Sequence, residues 1–411
     1  MAGYVATTAN WDALLEEDYV QGQIVSAINT ATPFRDKLKR VGMTAGRRRV
    51  YAAKVGASQG QGARAEGAQM PAYGAGEYQD VILSAKFNYA PFKITGQSEE
   101  FSDRAAFARF GMRILKDTKE GLKLSIGRQS WGDGQGKLAL VNDAALIAGE
   151  STITVDSAYG VAWGSLAGNT TFLIKRQMVV AFGAEDNGGA GYTVTSVGNT
   201  SFVVSPVLQG NVADDTAVTL NGSADLEIEG FLLMAATSSF QTSVLGLATD
   251  TYHGIDRSAY PEWEGNIVNA AAALSLTNIR TLRDTIYKRT DDEESNLFMC
   301  STEVVRDYEA LLQPGQRFVP ATKLEGGHTI IEHDGLRISK DSRAPIKAVS
   351  LADTKCIAWA QTRDPHWEND GSGIMRVVPG QDAKEALLKY YGNLDCEEPR
   401  RMGLMYNLTV S

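Results

Sequence analysis

The sequence contains few of the residues on which disulfide frameworks and metal sites depend. Its 3 cysteines, Cys300, Cys356 and Cys396, are widely spaced and never form a CxxC pair, and its 4 histidines never form an HxH or HExxH pattern. This spacing excludes a small disulfide-stapled domain and indicates no zinc site. We therefore expect neither a metal nor a cofactor.

Long apolar runs and an excess of positive charge are also missing. No stretch approaches the roughly 18 consecutive apolar residues of a membrane-spanning helix, and the start of the chain lacks the basic and apolar regions of a signal peptide. Asp and Glu number 49 against 40 Lys and Arg, which gives a formal net charge of −9. We expect such a chain to be made in a cytoplasm, to bind no membrane and to hold nucleic acid only weakly.

Apolar residues, by contrast, are plentiful. They make up 43% of the 411 residues, beside 22% charged residues, and these proportions are typical of a globular protein with about two or three domains. Strand-like and helix-like stretches follow one another without a regular βαβα alternation. The sequence therefore predicts an α+β fold.

A hairpin with a glycine-rich tip is predicted near the start of the chain. Arg47–Val55 and Tyr78–Gly96 have strand character, and they flank Gly56–Glu77, a stretch rich in glycine with almost no large apolar side chain. In the second strand, the apolar side chains that alternate onto one face are those of Val81, Leu83, Ala85, Phe87 and Tyr89. Because a two-stranded ribbon is at best marginally stable in water, we expect this hairpin to lie on a second copy of the chain.

A long helix and a β-rich segment follow. Phe101–Gln129 has apolar residues at near-helical spacing behind an N-cap at Ser102-Asp103, and a glycine-rich stretch ends it. Residues 150–222 contain short strand-like runs separated by turns such as Asp186-Asn-Gly-Gly189, which predicts a small antiparallel barrel inserted into a larger domain. The predicted barrel strands are Thr152–Val155, Thr171–Phe182, Tyr192–Val197, Ser201–Val204 and Ala217–Leu220.

The last part of the chain mixes helices and strands. We predict helices at Leu226–Thr237 and Thr277–Arg289, and a third that begins after Ser301 and ends near Gln313. A hairpin is expected to turn at Asp334-Gly335. The predicted strands are Asn296–Cys300, Lys355–Gln361, Ile374–Val378, Ala383–Asp395 and Met402–Val410.

Three patterns could carry chemistry, and each has a simpler interpretation. Gly56-Ala-Ser58-Gln-Gly60 matches the GxSxG nucleophile elbow, but glycines follow it where a helix should begin. Gly132-Asp-Gly-Gln-Gly136-Lys137 resembles a phosphate loop without its Ser or Thr and is more simply a helix end. Asp291–Glu294 lacks the spaced oxygens of a calcium loop and is typical of a solvated connection. We expect no catalytic residues, which favours a structural role.

The order of the predicted elements along the whole chain is distinctive. A basic arm, a glycine-tipped hairpin, a long helix, a β-rich insertion and an α+β domain are closed by the strand pair at Gly392–Cys396 and Met402–Leu404. This organisation resembles the tailed-bacteriophage major capsid proteins of the Hong Kong 97 type. The segment Gly254-Ile-Asp-Arg-Ser-Ala-Tyr-Pro-Glu-Trp263 also looks like one that recurs in such proteins.

The resemblance implies a domain organisation and a function. Its parts are an N-terminal arm (1–43), an extended hairpin or E-loop (44–97), a peripheral domain with a spine helix (98–149 and 376–411), an inserted β-rich domain (150–222) and an axial domain (223–375). Copies would assemble into hexamers and pentamers that form an icosahedral head shell around packaged double-stranded DNA. The subunit would be made in the host bacterial cytoplasm and located in the virion capsid. A separate scaffolding protein and a portal are expected partners, and a decoration protein is left open.

Contacts between copies would then involve the basic segment Arg35–Arg49, the hairpin and acidic surfaces elsewhere. We expect desolvated aromatic side chains to contribute more to binding than charges at the rim. The candidate contact residues are Arg35, Arg47, Arg48, Arg49, Lys54, Tyr73, Tyr78, Phe87, Asp291, Glu294, Glu397 and Glu398.

Two alternatives are kept open. An encapsulin-type nanocompartment shell protein would share the fold, although it would usually be shorter and lack the β-rich insertion. A hydrolase or carbohydrate-binding protein would instead use Ser58 or the barrel at 150–222.

Overall fold

The computed structural model describes residues 34, 37–43, 46–100, 104–143, 146–166, 168–290, 295–312, 332–333, 335–369 and 374–410. Within them, the helices are α1 Gly96–Glu100, α2 Arg104–Gln129, α3 Phe231–Met234, α4 Ser238–Ser243, α5 Leu276–Arg289 and α6 Thr302–Leu312. The strands are β1 Lys39–Gly42, β2 Arg48–Gly56, β3 Glu77–Ser84, β4 Lys86–Thr95, β5 Lys137–Val141, β6 Thr152–Asp156, β7 Val179–Phe182, β8 Tyr192–Val197, β9 Ser201–Ser205, β10 Ala217–Leu220, β11 Thr251–Tyr252, β12 Ile255–Asp256, β13 Asn266–Asn269, β14 Leu297–Cys300, β15 Glu332–His333, β16 Leu336–Lys340, β17 Val349–Ala352, β18 Ile357–Gln361, β19 His366–Trp367, β20 Arg376–Val377, β21 Ala383–Cys396 and β22 Gly403–Tyr406.

The described strands form two large sheets, a closed barrel and two small ribbons. One sheet has the order β13-β22-β17-β14-β16-β15, and in the other the long strand β21 pairs with β4, β18, β19 and β20, with β1 beside β18. The ribbons are β2-β3 and β11-β12. Helices and strands are mixed without βαβα alternation, so the predicted α+β class is confirmed.

Strand β21 connects the hairpin to the body of the molecule. Along most of its length it pairs antiparallel with β4, from Ala383 opposite Thr95 to Gly392 opposite Lys86. Its inward side chains Leu388 and Tyr390 are buried. Since β4 follows β3 directly, this pairing holds the base of the hairpin on the sheet that contains β21.

The predicted long strand Tyr78–Gly96 is divided at Ala85, which is a correction of the sequence analysis. β3 pairs with β2 in the hairpin, whereas β4 pairs with β21 in a different sheet. The exposed face changes at the break, because Val81 and Leu83 are buried while Phe87 and Tyr89 are 48% and 52% exposed. Ala85 lies between the two strands and interrupts the alternation of side chains along them. Beyond it, the odd-numbered side chains therefore point to the opposite face.

The hairpin arms lie on their own chain, and the expectation that the whole ribbon needs a second copy is wrong for its inner face. Val55, Val81 and Leu83 are almost completely buried there. The amide of Ile82 donates to the His253 carbonyl at 2.7 Å. Residues 57–76, the tip, remain largely exposed.

Within the described residues, the predictions for three helices are confirmed and the one at Leu226–Thr237 is corrected. The predicted cap Ser102-Asp103 and the predicted end near Gln313 lie outside the described residues. α2 ends at Gln129 as predicted, and α5 starts behind Ser275, whose hydroxyl accepts from the Asn278 amide at 3.1 Å. The helix predicted at Leu226–Thr237 is reduced to Phe231–Met234. This segment is buried on all sides and passes so close to Gln129 that a Cβ on Gly230 would lie 2.4 Å from its carbonyl oxygen.

The barrel is closed, with the strand order β10-β5-β6-β9-β8-β7. Its first strand, β5, lies before residue 150, where the sequence analysis placed the start of the barrel. The sequence analysis missed this strand because the mostly apolar run Lys137–Val141 lacks the alternation that marks half-buried strands. The predicted strand Thr171–Phe182 shortens to Val179–Phe182, since residues 171–174 form a turn. β5 and β10, the first and last strands of the barrel, pair with each other. The chain therefore enters and leaves the barrel at adjacent positions, as expected of an inserted domain. At its surface, Gly188 and Gly189 form an exposed turn with φ of 63° and 88°.

The segment Gly254–Trp263 forms a corner in which Ile255, Arg257 and Trp263 are buried. The Arg257 guanidinium is fully buried and donates to the carbonyls of Leu233 and Met234 at 2.8 and 3.0 Å. It also lies 4.3 Å from the ring centroid of Tyr252. Burial lowers the pKa of Arg257 to about 10. This arginine therefore joins helix α3 to the loop that supports the hairpin.

Candidate intersubunit surface

The hairpin has an inner face that packs on the body and an outer face that is largely exposed. On the outer face, Val50, Tyr78 and Ile82 are exposed beside Lys54. The tip carries Met70 and Tyr73, which are 85% and 106% exposed. Large apolar side chains in this state are typical of a protein interface.

Polar contacts fix the inner face to the end of β21. Arg49 forms an ion pair with Asp395, and its second nitrogen lies 3.4 Å from Glu397. The Tyr51 hydroxyl donates to Asp395 at 2.9 Å. Burial raises the pKa of the Asp395 carboxyl, although His253 and Arg49 oppose that shift. Burial and the nearby Asp395 raise the pKa of Tyr51, so its hydroxyl stays protonated and continues to donate.

A second polar cluster, the hinge cluster of Lys86, Glu229, His253 and Asn393, lies where β3 passes into β4. Glu229 lies 2.9 Å from the His253 Nε2 and 3.3 Å from the Lys86 Nζ. The Asn393 amide donates to Glu229 at 3.1 Å and to the Ser84 carbonyl at 3.0 Å. Burial alone would raise the pKa of Glu229, but His253, then Lys86 and Asn393, hold it at about 2.

Exposed aromatic side chains continue from the hairpin onto the sheet that contains β21. Phe87 lies opposite Tyr391 in the β4–β21 pairing, with ring centroids 5.1 Å apart, and Tyr89 lies 5.7 Å from the same ring. Edge-to-face geometry at such distances stabilises the cluster. Sequence reasoning selected Phe87 but missed Tyr89 and Tyr391, because only the tertiary pairing brings them together.

The predicted contact residues fall into three groups. Those exposed on the hairpin or at its base are Arg47, Arg48, Lys54, Tyr73, Tyr78 and Phe87. Those engaged within the chain are Arg49, Glu397 and Glu398, the last with Arg400 and Arg401. Arg35, Asp291 and Glu294 lie outside the described residues. The hinge cluster was missed, since its members are far apart in sequence and form no motif.

The patterns that could carry chemistry do not form catalytic sites in the described residues. Ser58 lies in the irregular tip, and in the stretch 46–100 no helix begins before Gly96. Asp133, in the loop that resembles a phosphate loop, is buried, and burial raises its pKa to about 6. Among the described residues, no three His, Cys, Asp or Glu side chains are grouped as metal ligands. None of the described helices combines the length and apolar character needed to cross a membrane.

Comparison of the whole chain with solved structures identifies the fold. The sequence matches no family profile and no curated protein. A capsid subunit of Cyanophage A-1(L) superposes with a TM-score of 0.58 at 13% identity, over 98% of this chain and 100% of that one. The capsid of a native GTA particle gives 0.51 at 10% identity, over 99% and 100%. The chain has the phage capsid fold.

An encapsulin, SrpI of Synechococcus elongatus PCC 7942, is also similar, with a TM-score of 0.45 at 8% identity over 98% of this chain and 96% of that one. The exposed tip and outer face of the hairpin, together with Phe87, Tyr89 and Tyr391, form the candidate intersubunit surface.

Proposed function

We propose that this chain is a major capsid protein of a tailed phage, of the Hong Kong 97 type, and that it acts by self-assembly rather than by catalysis. Hexamers and pentamers of the subunit would close an icosahedral head shell around double-stranded DNA. The observation that carries the proposal is the fully exposed Tyr73 at the tip of a hairpin whose own base is firmly packed. A preformed arm that carries an uncovered aromatic side chain favours binding to another subunit.

The parts of the subunit would have separate tasks in the shell. The hairpin would clamp a neighbour, α2 and β21 would belong to the peripheral domain, and the sheet that contains β14 would belong to the axial domain at the symmetry axes. The closed barrel would be an insertion whose first and last strands are adjacent. These assignments follow the capsid fold and the positions of the elements along the chain.

The electrostatic properties support an enclosure that holds DNA without gripping it. The net charge of −9 disfavours tight binding to phosphates through the overall field. Assembly would depend on contacts between copies, with a scaffolding protein and a portal as further partners in the infected bacterial cell.

The test is to remove the tip while leaving the hairpin arms intact. Gly56 and Glu77 face each other across the ribbon, so an Asn-Gly turn can replace residues 57–76. We expect the wild type to form closed particles in negative-stain micrographs, and the shortened variant to sediment as folded subunits. A wild type that never assembles, or a shortened variant that closes normal shells, would contradict the proposal.

A further inference from the structure

Two Asn-Gly pairs meet at one end of the closed barrel. The sequence contains this pair twice, at Asn187-Gly188 and at Asn221-Gly222. The first lies in the turn of residues 186–191 between β7 and β8, and the second follows β10 directly. The Asn221 side-chain amide donates to the Gly189 carbonyl at 3.0 Å, so the second pair contacts the turn that contains the first.

The two residues of an Asn-Gly pair can react with each other. The backbone nitrogen of the glycine attacks the Cγ of the asparagine, because a residue without a Cβ lets these two atoms approach. The attack requires an unengaged N–H and a backbone that can move. In the described stretch 168–290, no acceptor takes the N–H of Gly188 or of Gly222. Both glycines are exposed, and a Cβ added to either would meet nothing within 4 Å.

The two asparagines are held with different strength. Asn187 has a φ of 53°, a left-handed conformation that is costly for an L-residue, and its backbone amide donates to Glu185 at 3.4 Å. Its side-chain amide donates to the Gly191 carbonyl at 3.2 Å. Asn221 instead extends the ladder between β10 and β7, since its backbone amide donates to the Val179 carbonyl at 2.9 Å. Asn187 therefore has more freedom to reach the reactive geometry.

The turn of residues 186–191 also holds the Asn221 side chain in place. A Cβ on Gly191 would lie 2.8 Å from the Asn221 Cγ, so this side chain packs closely on the turn. The turn is closed by the Gly191 amide, which donates to the Asp186 carbonyl at 2.7 Å. A change in the length of the main chain inside the turn would therefore displace the Gly189 carbonyl from Asn221.

We propose that Asn187 is a site of spontaneous deamidation and that its conversion releases Asn221 to react second. The Gly188 nitrogen loses its proton and forms a bond to the Asn187 Cγ, the bond from Cγ to Nδ2 breaks, and ammonia leaves with that proton. Water then opens the resulting succinimide ring to aspartate or to isoaspartate. In isoaspartate the main chain runs through Cγ and is longer by a methylene group, so the turn loses its hold on Asn221.

Each conversion replaces a neutral side chain with a carboxylate. The first new charge would lie beside Glu185 and Asp186, and repulsion between like charges would oppose the return of the turn to its original form. The barrel itself would be preserved, because the ladder between β7 and β8 lies outside the turn, from Val180 opposite Tyr192 onward. The inference does not depend on the proposed shell function, since it involves a single chain.

Ageing of the purified protein tests the proposal. The protein is kept at mildly alkaline pH, where backbone amides lose their protons more readily, and is digested at intervals. Mass spectrometry measures the conversion at each site, and isoaspartyl methyltransferase labels isoaspartate. A synthetic peptide of residues 184–191 gives the rate without the fold. We expect Asn187 to convert first and Asn221 to follow after a lag. Asn187 that stays intact while the peptide converts completely, or Asn221 that converts first, would overturn the inference.

A pair of glycine variants separates the two sites. Gly188→Ala adds a Cβ that hinders the first attack, and Gly222→Ala does the same to the second. Gly222→Ala should leave the conversion of Asn187 unchanged. Gly188→Ala should slow Asn187 and also lower the rate at Asn221 about fivefold, the factor that corresponds to one net hydrogen bond, because the bond from Asn221 to Gly189 is then kept.

Asn187→Ser verifies that this effect does not come from strain at position 188, where φ is 63°. Serine cannot close the ring, and the glycine that follows it stays in place. The rate at Asn221 should fall by the same factor of about five, and circular dichroism verifies that each variant is folded. A wild-type rate at Asn221 in Asn187→Ser would mean that the sites react independently, and the inference would be wrong.

Discussion

At the scale of single residues, Arg257 shows how a buried cation can be held without a carboxylate. Backbone carbonyls, the Gln241 amide oxygen at 2.9 Å and the face of Tyr252 replace its hydration. The guanidinium in turn supplies donors to these buried acceptors. Arg257 is not part of the exposed surface, but the packing of α3 and of the loop that supports the hairpin depends on its hydrogen bonds.

Replacing Arg257 should therefore destabilise the fold. Arg257→Leu removes the guanidinium donors from the Met234 carbonyl and the Gln241 amide oxygen, and we expect the free energy of unfolding to fall by about 2–4 kcal/mol. Urea unfolding followed by fluorescence measures the change. Arg48→Leu, on the exposed face of β2, is the matched control and should change stability by less than about 0.5 kcal/mol.

Asp133 should make stability depend on pH. Burial raises its folded-state pKa from 3.8 to about 6, so the folded protein takes up a proton that the unfolded chain has lost. The contribution of Asp133 to stability is therefore largest below the unfolded pKa and falls as pH rises through the window between 3.8 and about 6, a loss of about 3 kcal/mol above it.

Asp133→Asn tests this dependence, because an amide oxygen can still accept from the Gln135 amide. We expect the variant to gain up to about 3 kcal/mol over the wild type at pH 7.5 and to match it near pH 3.5. The exposed Asp80→Asn serves as the control in the same unfolding series. Equal gains at both pH values would mean that the effect does not come from ionisation.

At the scale of elements, the hinge cluster should determine how firmly the hairpin is held. Glu229→Gln removes the carboxylate that neutralises Lys86 and accepts from Asn393. Since the Glu229 side chain is partly exposed, we expect a loss of about 1–3 kcal/mol. Hydrogen exchange at the Ile82 amide should accelerate in this variant and stay unchanged in the tip variant Glu66→Gln. If exchange at the Ile82 amide is unchanged, the hairpin is held by the β4–β21 pairing alone and not by the hinge cluster.

The elements differ in how well the sequence predicted them, for physical reasons. α5 was predictable because its buried residues Ile279, Leu282 and Ile286 follow the helical period behind a serine cap. The division at Ala85 was not, because both sides of it alternate and only the partner strands differ. β5 is nearly continuous in apolar residues, so its periodicity gave no signal. The exposed tip followed from composition, whereas the hinge cluster required tertiary contacts.

At the scale of the whole molecule, assembly should respond to the tip far more than to other exposed apolar residues. Tyr73→Ser removes an uncovered aromatic side chain at the proposed interface, and we expect the yield of closed particles to fall at least about tenfold. Ile147→Ser, at an exposed position beside the barrel, is the matched control and should leave the yield unchanged. Sedimentation velocity measures both, with circular dichroism to verify folding.

The closed barrel has a practical consequence. Because no strand edge is open there, a peptide spliced between Gly188 and Gly189, where added side chains would meet nothing within 4 Å, has no ladder to invade. Each subunit would present one guest peptide, and a repeating lattice would multiply it into a dense, regularly spaced array suited to vaccine antigens.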